Sequence, residues 1–142
     1  MTKNELQLQH LFINNIALDY FPMDTIEALC VNINNEKRIC LNSNRERSSI
    51  TEFWIIEHEL AHLETDALYT INSKSKYIDK MERKANDNMI LKFGLPDKVL
   101  KCLKYGLTKY EISEQLEITY EVIDSCIDYL YRKGLIPNNE FN

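Results

Sequence analysis

The sequence predicts an α+β fold: a mostly helical domain with a small antiparallel β-hairpin and a C-terminal helical, helix-turn-helix-like subdomain. Three observations predict it. Apolar residues recur at helical spacing in several segments that begin at Ser or Thr caps and stop at Gly. Two short β-rich runs flank an Asn-Asn pair. The composition, 44% apolar and 27% charged over 142 residues, is that of an ordinary globular chain of about one domain.

The elements follow in order. Leu8, Leu11, Phe12, Asn15 and Leu18 lie at near-helical spacing, which predicts an amphipathic helix over 4–18, ended before Pro22. His10 sits on it and is read as filler. Ala28 to Ile33 and Arg38 to Asn42 are the β-rich runs. Asn34-Asn35 between them tolerates left-handed backbone, so a hairpin is expected. After a polar loop, Ser49-Ile50-Thr51-Glu52 has capping-box spacing and opens a largely apolar helix containing Phe53, Trp54, Ile55, Ile56, Leu60, Ala61 and Leu63.

Asp66 to Lys80 reads as a connector, holding Tyr69 and Tyr77. A second amphipathic helix is expected from about Ile78 to Phe93, stopping at Gly94. Pro96 suits the first turn of another, which ends near Gly106. Thr108-Lys109-Tyr110-Glu111 is a capping box for a short helix through Leu116, and Thr119 caps a further one running to Lys133. These last two, joined by a tight turn, have the helix-turn-helix look. A DNA reader needs basic residues on its second helix, whereas this one carries Glu121, Asp124 and Asp128. Direct DNA binding is therefore not expected.

No apolar run is long enough to span a bilayer, and the N-terminus lacks the apolar block of a signal peptide, so no membrane partner and a cytoplasmic location are expected. Cys30, Cys40, Cys102 and Cys126 form no C-x-x-C pair, and in a reducing compartment they read as small packing residues. The net charge of −5 is unevenly spread. Residues 71–110 hold ten Lys and Arg against four Asp and Glu, and residues 111–142 hold two against seven.

Chemistry concentrates at Glu57-His58-Glu59-Leu60-Ala61-His62, which carries two of the three histidines. Residues four apart share a helix face, about 6 Å along the axis, so His58 and His62 can converge on one metal ion. Zn²⁺ is the ion this H-E-x-x-H pattern most often takes. Titratable groups on a buried helix are costly without a metal or partner. A catalytic zinc site needs a third protein ligand, and Glu82 in Met81-Glu82-Arg83-Lys84-Ala85-Asn86 is the candidate. Leu60 and Leu63, packed on Ala85, Met89 and Ile90, would carry Glu82 over the histidines. Glu59 is then placed to take a proton from water at the metal. Asn86 is expected to bond the far nitrogen of a ligand histidine. Tyr69 or Tyr77 is a candidate oxyanion donor.

His58-Glu59-Leu60-Ala61-His62, then Glu82-Arg83-Lys84-Ala85-Asn86, then Leu95-Pro96, resembles the ImmA/IrrE family of metallopeptidases, over roughly residues 25–97. The resemblance implies a zincin-like metallopeptidase core, 1–97, with a helical subdomain, 98–142, packed on it. It implies zinc held by His58, His62 and Glu82, with Glu59 as catalytic base. It also implies a phage or mobile-element setting and a helix-turn-helix repressor, carried on a separate protein, as partner and substrate. The chain departs from relatives in the segment Leu91-Lys92-Phe93-Gly94 before Leu95-Pro96, which is less apolar than is typical. The reading from another class is a non-proteolytic metal-containing protein that binds and inactivates a repressor.

Overall fold

The computed structural model describes residues 1–70 and 72–137; Ile71 and residues 138–142, the end of the expected C-terminal subdomain, lie outside the described residues. Among the described residues the fold is α+β, six helices and one three-stranded sheet: α1 (Lys3–Ile13), β1 (Ile16–Phe21), β2 (Ala28–Ile33), β3 (Glu36–Asn42), α2 (Ser49–Thr65), α3 (Ser75–Lys92), α4 (Leu95–Lys104), α5 (Lys109–Leu116) and α6 (Tyr120–Arg132). None of these helices is long and apolar enough to cross a membrane.

The hairpin forms as expected. β2 and β3 pair antiparallel around Asn34 and Asn35, both with positive φ. The first element differs from the expectation of one helix over 4–18. Thr2 caps α1 with a reciprocal bond to Glu5, and Asn14 ends it. Asn15 takes φ 56°, a left-handed turn that Asn tolerates, and the chain leaves as a strand. That strand, β1, pairs parallel with β3, so the sheet is mixed, in the order β1-β3-β2, rather than a hairpin alone. Ile16 and Leu18 now serve a pleated face: with Ile39 and Leu41 they pack on Leu11, Ile56, Leu60 and Leu63.

The register separates two cysteines. Cys30 stands opposite Ile39 and Leu29 opposite Cys40, so the two thiols leave opposite faces of the sheet and cannot bridge. All four cysteines are free.

The turn before β2 is pinned by Asn42, which is fully buried. Its Nδ2 donates to the carbonyls of Met23 and Ile26, both at 2.9 Å, and its Oδ1 accepts from the N–H groups of Met23 and Asn44. Asn42→Ala should therefore cost about 3 kcal/mol, since each buried backbone group left unpaired costs roughly 1–3 kcal/mol. Denaturant unfolding measures this, and a loss below about 1 kcal/mol would contradict the account.

Two helix starts also shift. The cap of α2 is Ser48, whose hydroxyl accepts from Thr51 N–H, not Ser49. α3 begins at Ser75, ahead of the expected Ile78. The main core draws on α2 through α6. Phe53, Trp54 and Ala61 meet Ala85, Met89 and Ile90, and these join Val99, Ile112, Ile118, Ile123 and Leu130. Leu60 and Leu63, expected against α3, instead face the sheet, since they point about 100° and about 160° around α2 from Ala61. Ala61 of α2 and Ala85 of α3 are the small side chains in the main core. Trp54 Nε1 donates to the Glu117 carbonyl at 2.8 Å and ties α2 to the turn between α5 and α6.

Candidate metal centre

His58 and His62 project from one face of α2, a turn apart, with their rings edge to face and centroids 4.7 Å apart. His62 is buried, 4% exposed, and His58 is half-buried. α2 ends where Asp66 turns left-handed at φ 54°, and this folds the chain back on the helix. Ala67 then bonds His62 twice. Its N–H donates to the His62 carbonyl at 3.0 Å, and its carbonyl accepts from His62 Nδ1 at 2.6 Å. With Nδ1 committed to the Ala67 carbonyl, Nε2 is the ring nitrogen left to face an ion. It stands 3.2 Å from His58 Nε2.

Glu82, in the second turn of α3, completes the group. Its two carboxylate oxygens lie 3.0 Å from His58 Nε2 and 3.2 Å from His62 Nε2. These three side chains are the one set of metal-capable groups found together among the described residues. Four bonds of about 2.0–2.1 Å in a tetrahedron place neighbouring ligand atoms about 3.3 Å apart. The two imidazole nitrogens, 3.2 Å apart, match that spacing, and one ligand atom from each of the three residues lies within 4.8 Å of the others. Two imidazoles and a carboxylate are a donor set that Zn²⁺ accepts, and three protein ligands leave one position open. The residues fit the ion.

Electrostatics follow the same contacts. Burial raises the Glu82 carboxyl, but hydrogen bonds from His58, His62 and Tyr69 outweigh it and hold the group well below the usual carboxylate range. Burial lowers His62, yet Glu82 and the Ala67 carbonyl bring it out above its ordinary value. Glu59 lies outside the ligand group. Burial raises its carboxyl above the ordinary value, against the opposing pull of His58. The Cys30 thiol of β2, close by, also pulls it down.

His58 and Glu59 open into a cleft of about 850 Å³. Glu27 and Ala28 at the start of β2 form one wall with Arg45 and Arg47, and both arginines are paired to Glu27, at 2.7 and 2.9 Å. The opposite wall is α6 and its cap, with Thr119, Glu121 and Asp124. The acidic second helix of the helix-turn-helix-like pair thus faces the candidate site.

Of the residues expected from sequence, His58, His62 and Glu82 come together as one group, and Glu59 lines the cleft beside His58. The secondary expectations fare unevenly. Asn86 lines the cleft but bonds neither histidine, since the far nitrogen of His62 is taken by Ala67. The Tyr77 hydroxyl donates to the Leu68 carbonyl at 3.2 Å, and the Tyr69 hydroxyl donates to Glu82. Three participants were missed. The Ala67 carbonyl has no side-chain signature; Cys30 read only as packing; the wall from α6 is more than fifty residues from His58 in sequence. Set against protein-family models the chain matches none, and set against curated proteins it matches none.

Proposed function

We propose that the protein is a zinc-dependent metallopeptidase that cleaves a partner regulator, a helix-turn-helix repressor of a phage or mobile element, in the cytoplasm. One observation carries the reading: His58, His62 and Glu82 come together as a group able to hold a metal ion, and Glu59 stands beside His58 in an open cleft. The resemblance of His58-Glu59-Leu60-Ala61-His62 and Glu82-Arg83-Lys84-Ala85-Asn86 to ImmA/IrrE metallopeptidases supports the choice of substrate. The four free thiols are compatible with a reducing compartment.

A zinc ion held by these ligands supplies Lewis acidity toward a carbonyl oxygen and toward water. Glu59 does the proton work. Its carboxylate accepts a proton from the attacking water and delivers it to the nitrogen of the departing amine. Burial around Glu59 suits this, because a carboxyl raised above its ordinary value both takes and returns a proton more readily near neutral pH. His62 is kept in the ligating tautomer by Ala67. β2 is an edge strand, and Ala28 at its start lines the cleft, so its unpaired backbone groups would hold an extended substrate segment by strand addition.

The test is co-expression with a helix-turn-helix repressor encoded beside it. A shortened repressor band with the wild type, absent with Glu59→Gln, is the expected result. An intact repressor in the presence of zinc-loaded wild type would overturn the proposal. Repressor inactivation by both proteins, without shortening, would favour non-proteolytic binding instead.

A further inference from the structure

The connector between α2 and α3 is built around the metal ligands. Ala67, Leu68 and Tyr69 follow one another with three separate anchors: Ala67 to His62, the Leu68 carbonyl to the Tyr77 hydroxyl, and Tyr69 to Glu82. Ala67 is fully buried, which fixes the base of the strap. At its far end Ser73 N–H donates to the Thr70 carbonyl and Thr70 N–H to Ser73 Oγ, both at 3.0 Å, closing a turn just past Tyr69. The Tyr69 ring stands edge to face with His62, centroids 5.9 Å apart, so the phenol cannot approach Glu82 from another side without losing that contact.

The Tyr69 hydroxyl bonds Oε1 of Glu82, the oxygen that faces His62, while Oε2 faces His58. A glutamate reaching from a second helix has three rotatable bonds to fix, and nothing on α3 itself holds its end. We propose that Tyr69 is a positioning residue for the metal: its hydroxyl fixes the rotation of the Glu82 carboxylate, so that the third ligand is set before the ion arrives. The strap thereby sets two ligands at once, His62 through a backbone carbonyl and Glu82 through a phenol. This inference rests on the metal reading above, and it replaces the expectation that Tyr69 is held in reserve for the substrate oxyanion. Hydrogen bonds to ligating groups of this kind typically contribute about 10- to 100-fold in metal affinity.

The experiment is zinc binding by the full chain, read by competition with a chromophoric chelator, for wild type, Tyr69→Phe, Glu82→Ala and the double variant. Tyr69→Phe should weaken zinc binding on the order of 10-fold. In the Glu82→Ala background the same substitution should change zinc affinity little, because the group it positions is gone. Thermal unfolding of the metal-free proteins is run alongside. Since Tyr69 is 39% exposed, loss of its hydroxyl should leave the midpoint near that of the wild type. Unchanged zinc affinity in Tyr69→Phe, or an equal loss in both backgrounds, would overturn the inference while leaving the metal site standing. A wild-type chain that binds no zinc would overturn both.

Discussion

Glu59→Gln will bind zinc as tightly as the wild type and will leave its protein substrate intact. The amide is isosteric with the carboxylate, and Glu59 is not among the three side chains that could hold an ion. Metal content and unfolding midpoint should therefore not change. Proton transfer is another matter. An amide cannot accept a proton from water, and a positioned general base contributes typically about 10²- to 10⁴-fold. Cleavage should fall by that factor, measured as the rate at which the shortened repressor appears on a gel at equal zinc occupancy. Retention of more than about a tenth of the wild-type rate would remove Glu59 from the mechanism.

His62→Ala should have the largest effect on the metal itself. It deletes the most buried of the three candidate ligands and leaves the Ala67 carbonyl without the proton it accepts at 2.6 Å. His58 and Glu82 alone do not make a zinc site of ordinary strength, and the loss in affinity should exceed about 100-fold, the upper end for groups that merely support a ligand. A second consequence is thermal. Zinc at a hundred times its dissociation constant stabilises the wild type by about 2.7 kcal/mol. For a chain of this size that is on the order of 10 °C in the unfolding midpoint. The variant should show no such shift on adding zinc at the same concentration. Equal shifts in both proteins would place the metal elsewhere.

Much of the site was legible in the sequence because its geometry is local. The four-residue step from His58 to His62 needs only a helix, and the apolar flank at Phe53 to Ile56 makes that helix unambiguous. Glu82 was legible at one remove, through the expectation that two amphipathic helices pack. The faces chosen for that packing were wrong at Leu60 and Leu63, which turn to the sheet, and right at Ala85, Met89 and Ile90. The strand β1 was not legible. Leu8, Leu11 and Phe12 set a helical rhythm that Leu18 happens to continue, and the partner that makes Ile16 to Phe21 a strand lies about twenty residues downstream in β3. Parallel pairing carries no turn residues to announce it. Asn14-Asn15 was the available signal, since both tolerate the geometry that ends a helix. Tyr69 and Tyr77 could not be told apart, because the connector around them has no period and their roles depend on which carbonyl or carboxylate the fold brings within reach.

The core that covers α2 is completed late. Phe53, Trp54 and Ala61 share one cluster with Ile123, Ile127 and Leu130, and the indole of Trp54 waits on the carbonyl of Glu117. During synthesis, then, the nascent chain holds all three candidate ligands well before it holds the last of the hydrophobic cover of α2. A ribosome-bound intermediate ending before α6 would leave one wall of the cleft unbuilt and part of the aromatic face of α2 in water.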